Sequence, residues 1–324
     1  MHNRLWITWE RQRRSVELAH HLGCKLFIIE YEGARRYPLS IFKSVSLLTQ
    51  RKPDILFVQN PSMILATLAC LYKLITKTPV VIDRHTTFLL GKNYRSTLKL
   101  RFFKLLHRFT IRTADLTIVT NEFLAHIVTQ LGGKSFVLPD KLPEFTTTET
   151  LKLKGRKNVL LISSFGRDEP MREALEAMET FDNQNVYFYI TGNHQKLDKS
   201  LYSTAPPHAV FTGFLSEQDF INILFSVDVV IVLTTSDYCM LCGCYEAVSA
   251  TKPLITSNKE VLREYFKGAV FVDNTAQDIS EGMRSVLADT ETFRIRITNL
   301  KETLTAQWKE LYRNLESQLS HMVQ

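Results

Sequence analysis

Glu246 stands at the head of a helical pattern, Tyr245-Glu246-Ala247, directly after a loop spanning Tyr238 to Cys244. A carboxylate in a helix's first turn, after a flexible loop at a strand's carboxyl end, can accept two hydrogen bonds from a vicinal diol such as a ribose. The alternative is plain capping electrostatics, because negative charge is stabilised at a helix N-terminus. Gly243, just ahead, fits a tight loop where backbone N–H groups meet a phosphate, or an ordinary turn. Arg167 and Arg172 follow a strand that ends Ser163-Ser164-Phe165-Gly166. A departing diphosphate needs positive charge or helix dipoles to take up its developing charge, and arginine can supply this in bidentate fashion. Asp168 and Glu169 lie between the two cations, and Arg172 reads equally as a solvent-facing helix residue.

The first half offers a second set. Val81-Ile82-Asp83-Arg84-His85 ends a buried run, and polar residues at a strand's carboxyl end point toward the ligand crevice of an open sheet. His85 could orient a hydroxyl with Asp83 supporting it; otherwise it is a hydrogen-bonded loop histidine. Trp9, Arg11, Arg13 and Arg14 follow the first strand. They read either as contacts to an acceptor carrying pyrophosphate or as a solvated helix start. Residues 94–112 place Leu98, Phe102, Leu105, Leu106 and Phe109 on one face with Arg and Lys around it. Such a helix can lie on anionic lipid or simply cover a sheet. Cys239, Cys242 and Cys244 lack the further ligands that zinc needs nearby, so small-residue packing is expected and no metal site.

These residues need a scaffold. Short β-branched runs alternate with helical patterns along the whole chain, which predicts parallel sheets with right-handed crossovers. The alternation breaks between Pro139 and Lys157, a polar stretch rich in threonine. The reading is therefore an α/β chain of two Rossmann-like domains: residues 1–145, residues 155–290, and a helical tail over 291–324. Ligands are expected in a cleft between the two halves. The 324 residues carry a net charge of +7. Residues 1–150 hold 22 Lys and Arg against 11 Asp and Glu, and residues 151–324 hold 18 against 22. A basic first half suits a polyanionic partner. No apolar run approaches the roughly 20 residues of a membrane span. The odd count of five cysteines, with no export signal, points to reduced thiols and a cytoplasmic place. Neither G-x-G-x-x-G, nor a P-loop, nor G-x-S-x-G occurs, which argues against dinucleotide oxidoreductases, P-loop NTPases and serine hydrolases.

The order Thr212-Gly213-Phe214, Val227-Asp228-Val229, the Glu246 loop–helix and Lys252-Pro253-Leu254-Ile255 resembles the second domain of the family 4 (group 1) glycosyltransferases. These have the GT-B fold. The resemblance covers most of residues 155–275; in the first half Asp115–Asn121 and Val137-Leu138-Pro139 fit the family's domain end. It implies that Gly166, Arg167, Arg172, Gly243 and Glu246 bind a nucleotide-sugar donor. It also implies an acidic residue eight positions before Glu246, facing the donor sugar. That position is Tyr238, with Asp237 nine before, so Asp237 takes the role if the loop holds one extra residue. His85 and Asp237 are then the catalytic candidates, and Trp9, Arg11, Arg13 and Asp83 the acceptor contacts. The family's Gly-rich first turn is missing, so the acceptor site is built differently. A retaining transfer to a lipid-linked or glycan acceptor follows, in cell-surface polysaccharide synthesis, with no cofactor and no obligatory metal. The protein would sit in the cytoplasm, peripheral to the membrane. Rival readings are a sugar-nucleotide epimerase using Asp237 and His85 as acid and base, and a non-catalytic scaffold. No nucleic-acid module accompanies the positive charge.

Overall fold

The computed structural model describes residues 3–33, 35–60, 62–85 and 98–322. The chain forms two compact units: residues 1–141 with 307–324, and residues 142–306. Each is built on a six-stranded, wholly parallel sheet.

In the first unit the strands are β1 (Arg4–Thr8), β2 (Lys25–Ile28), β3 (Ile55–Asn60), β4 (Val80–Arg84), β5 (Leu116–Val119) and β6 (Ser135–Val137). Their order in the sheet is β2-β1-β3-β4-β5-β6. Successive side chains alternate faces, and both faces are dry, which explains the continuous rather than alternating apolar runs. Leu5, Ile7, Leu56, Val58, Val80 and Ile82 pack under α2 (Arg36–Arg51) and α3 (Met63–Thr76), with Phe109 of α4 (Leu98–Thr113) against the same core. Trp6, Ile55, Phe57, Val81 and Leu116 face α1 (Arg13–His21) and the end of the last helix. The remaining helix of this unit is α5 (Glu122–Gln130).

The second unit holds β7 (Lys157–Leu161), β8 (Val186–Thr191), β9 (Ala209–Gly213), β10 (Val229–Val232), β11 (Leu254–Ser257) and β12 (Val270–Val272), ordered β12-β11-β10-β7-β8-β9. Its helices are α6 (Met171–Glu179), α7 (Lys199–Ser203), α8 (Glu217–Ser226), α9 (Cys242–Ser249), α10 (Glu260–Tyr265) and α11 (Ala276–Ala288). The lysine of the Lys252-Pro253 pair donates to the carbonyls of Phe225 and Val227 at 2.7 and 2.8 Å, closing the end of α8. The long α12 (Thr290–His321) is continuous. Its residues to 306 belong to the second unit; from 307 they belong to the first. There Trp308 donates to the carbonyl of Pro139 and Tyr312 to that of His21.

Two local differences from the sequence reading matter. Helix α9 begins at Cys242, not at 244. The Thr-rich stretch after Pro143 is not a free linker: the hydroxyls of Thr147 and Thr148 both donate to Asn222. Residues 94–97 of the basic segment lie outside the described residues, as do Thr86 and Thr87.

Candidate active site

In an open parallel sheet the ligand crevice lies outside the strand C-termini, where the strand order reverses. In the second unit that point falls between β7 and β10, because the chain runs β7-β8-β9 to one side and β10-β11-β12 to the other. The loops leaving these two strands are tied to each other. The Asp168 carboxylate accepts from the hydroxyls of Thr234 at 3.1 Å and Ser236 at 3.2 Å. The Asp168 carbonyl accepts the N–H of Thr235 at 2.6 Å.

Glu169 organises the first of these loops. Its carboxylate accepts the N–H groups of Ser164 and Phe165, both at 3.0 Å, and the hydroxyl of Ser164 at 2.7 Å, together with the hydroxyl of Ser163. These bonds hold Phe165 in the left-handed region, at φ 54°, a conformation unfavourable for any residue with a Cβ. The turn reaches close to the end of β8. A Cβ on Gly192, whose φ is +101°, would lie 2.3 Å from the Ser163 carbonyl oxygen. Gly166 is less confined, since a Cβ there would lie 2.8 Å from Asp168 Oδ1, the end of a side chain and not backbone.

With Asp168 and Glu169 engaged inside the loops, Arg167 and Arg172 are left exposed. Among the described residues neither has a carboxylate within ion-pair distance. The two acids that separate the cations in sequence therefore position the loop and do not neutralise it. The sequence reading missed both. For Glu169 the signal was the serine pair Ser163-Ser164 five and six positions earlier; for Asp168, whose partners are Thr234 and Ser236, there was no local signal.

Gly243 lies within the first turn of α9, not in a loop before it. A Cβ there would stand 3.0 Å from both Val232 methyls and 3.2 Å from Ile162. The glycine thus lets the start of α9 close onto the ends of β7 and β10. No side chain caps this helix at Leu241. Glu246 is half-buried one turn further in, which removes it from first-turn capping. Asp237 is 68% exposed and pairs with Lys259 at 2.9 Å. Cys239 and Cys242 are exposed, while Cys244 is buried against Thr256. Among the described residues no group of three His, Cys, Asp or Glu is arranged to hold a metal ion.

In the first unit the strand order reverses between β1 and β3, and Thr8 donates to Gln59 across that point. Trp9 is only 2% exposed, with its indole N–H on Ser44 at 3.0 Å. The ring belongs to the core and is not presented to an acceptor. Arg11 and Arg13 are exposed, and Arg13 lies 3.8 Å from Glu17. Arg14 differs from both: it is buried between Asp83 at 2.9 Å and Asp140 at 2.5 Å, and also donates to the Leu138 carbonyl. Asp83 is buried as well, so its expected role as an acceptor contact is corrected to a supporting one. Burial alone would raise its pKa, but the Arg14 charge and the nearby His85 hold the carboxyl below its ordinary value. His85 Nδ1 lies 3.4 Å from Asp83 Oδ2. Arg14, Asp83 and His85 thus stand in line at the end of β4, with the imidazole close to the carboxylate but not hydrogen-bonded to it. Beside them Arg84 meets His107 Nδ1 at 2.7 Å. Burial, then the Arg84 charge, pushes His107 down to about 3, and burial lowers Arg84 to about 10.

Two parallel Rossmann-like sheets, each with its functional loops at a strand-order reversal, define the GT-B class of α/β proteins. Residues 7–139 match the model of glycosyltransferase family 4, and residues 144–303 that of glycosyl transferases group 1. The chain belongs to this family of glycosyltransferases and is an enzyme of that class. HepE from Anabaena, solved with UDP, superposes with a TM-score of 0.75 at 14% identity, covering 98% of this chain and 100% of that one. Sucrose-phosphate synthase from Thermosynechococcus elongatus gives 0.67 at 14% identity, over 91% and 84% of the two chains. A UDP-forming trehalose-phosphate synthase from Burkholderia xenovorans gives 0.66 at 12% identity, over 91% and 80%. At these identities the likeness is one of fold. No curated protein sequence matches the chain.

Proposed function

We propose that the chain transfers a sugar from a uridine-diphosphate sugar to a hydroxyl of a lipid-linked or polysaccharide acceptor. The anomeric configuration is retained, and the product enters cell-surface glycan synthesis. The observation that carries the donor site is the loop pair at the β7–β10 reversal. There Glu169 shapes the turn, Gly243 brings a helix N-terminus close, and Arg167 and Arg172 stand exposed with no carboxylate within ion-pair distance among the described residues. In this reading the two arginines and the α9 N-terminus take up the charge of the departing diphosphate, the role an ion would otherwise fill. Glu246 accepts the ribose hydroxyls, Asp237 faces the sugar, and His85, beside Asp83, orients a hydroxyl. The uridine base is proposed because HepE of the same fold was solved with UDP and with UDP-glucose. Five free thiols suit a cytoplasmic enzyme working at the inner face of the plasma membrane.

Thermal unfolding with a panel of nucleoside diphosphates tests this. A ligand of the native state raises the melting temperature by mass action. UDP should raise it in the wild type and much less in Glu246→Ala. A shift equal in both would remove Glu246 from the site, and no shift with any nucleotide would overturn the donor reading.

A further inference from the structure

Helices α2, α3 and α4 cover the same face of the first sheet through Leu47, Leu48, Leu65, Ala69 and Phe109. Their outward sides carry an unusual composition. None of the three helices contains an aspartate or a glutamate. Elsewhere in the molecule helices carry carboxylates freely, as α6 and α8 do. Large apolar side chains stand in solvent on all three: Phe42 is 75% exposed, Ile75 83%, Phe102 57% and Leu105 65%. Lys43 on α2, Lys77 just after α3, and Lys104 and Arg108 on α4 are exposed as well. None of these four has an ion pair with a carboxylate among the described residues.

We infer that the outward face of α2, α3 and α4 docks on an anionic lipid bilayer. Two physical arguments select this occupant. Exposed Phe, Leu and Ile intermixed with Lys and Arg is the composition of helices that lie in the headgroup layer, apolar groups inserted and cations among the phosphates. The buried centre of a protein interface is instead depleted of lysine. Charge complementarity supplies the second. Helices with no carboxylate of their own, whose nearest acids Glu10 and Asp115 are paired with Arg36 and Lys73, meet a negatively charged leaflet with little repulsion, and each Lys or Arg near such a surface strengthens binding by roughly fivefold. The docking surface thus extends beyond the α4 segment to α2 and to the end of α3.

The test is sedimentation of the full chain with phosphatidylcholine vesicles, with and without phosphatidylserine, at low and high salt. No sugar nucleotide is present, so the result stands apart from glycosyl transfer. Binding should require phosphatidylserine and weaken with salt, because surface charges are screened. The double variant Lys104→Glu/Arg108→Glu should bind at least about twenty-fivefold more weakly, from two cations lost at roughly fivefold each. Phe102→Ser/Leu105→Ser should also lose most binding. All four side chains are exposed, so melting temperatures should match the wild type. Equal sedimentation with phosphatidylcholine alone would overturn the proposal, as would binding unchanged in both variants. Absence of vesicle binding together with self-association abolished by Phe102→Ser/Leu105→Ser would also overturn it, and would assign the face to a second copy of the chain.

Discussion

Replacing Glu169 by alanine removes the group on which the β7 loop closes. The loop makes four hydrogen bonds to that carboxylate: two from the N–H groups of Ser164 and Phe165 at 3.0 Å, and two from the hydroxyls of Ser163 and Ser164. The hydroxyls can turn to water at little cost. The amides cannot turn without moving the backbone. A hydrogen bond to a charged group contributes about 1.5–3 kcal/mol, and Glu169 is half-exposed, so the low end applies and water replaces part of it. The net loss in holding the loop is then about 2 kcal/mol. Phe165, at φ 54°, is free to relax toward negative φ, which displaces the adjoining Gly166 and Arg167. If donor binding needs the loop as it stands, 2 kcal/mol corresponds to about thirtyfold weaker UDP binding. Glu169→Gln, which keeps one acceptor oxygen, should lose about fivefold by the same reasoning. Isothermal titration of wild type and both variants with UDP measures this, with circular dichroism to confirm the fold. Affinity within twofold of wild type would refute the argument. Tighter binding in Glu169→Ala would show the carboxylate competing with the diphosphate for the loop's N–H groups.

Asp83→Ala leaves the Arg14 guanidinium buried with Asp140 as its sole carboxylate partner, and should cost about 3–5 kcal/mol in urea unfolding, the range for breaking a buried pair. Because Asp83 is held below its ordinary pKa in the folded state, its contribution is fully present above the unfolded value of about 3.9 and fades as pH falls through the folded one. The stability gap between wild type and Asp83→Asn should therefore persist at neutral pH and shrink only under strongly acidic conditions. A gap that closes on raising the pH would contradict the assignment. For Gly243→Ala, helix propensity favours alanine by about 1 kcal/mol. The contacts at 3.0 Å to Val232 and 3.2 Å to Ile162 oppose it, with overpacking typically costing about 1–3 kcal/mol. The expected net result is destabilisation by about 1 kcal/mol with weaker UDP binding, and a stabilised variant would show that α9 does not press on the strand ends.

The scaffold was legible because a strand buried on both faces leaves a continuous β-branched run, as in Val229–Val232, and the intervening helices leave a 3.6-residue period. The start of α9 was not, because Cys242, Gly243 and Cys244 carry no capping or apolar pattern; tertiary packing on Val232 makes them helical. Among site residues, spacing showed which groups follow which strand but not which way they face. Trp9 and Arg14 look like loop residues available to an acceptor, yet their partners, Ser44 in one case and Asp83 and Asp140 in the other, are 35 to 126 positions away. No local pattern reports such pairings. In sequence Glu169 is only an acid lying between two cations, whereas in the fold its partners four to six residues back absorb it.

The most direct measurement is calorimetric titration of the wild type and of Glu246→Ala with UDP. A single UDP site is expected in the wild type. Loss of two hydrogen bonds from the ribose to a carboxylate should weaken it by at least about a hundredfold in the variant, at roughly 1.5 kcal/mol or more for each. UDP binding that is unchanged in Glu246→Ala, or absent from the wild type, would contradict the placement of the donor at the β7–β10 crevice.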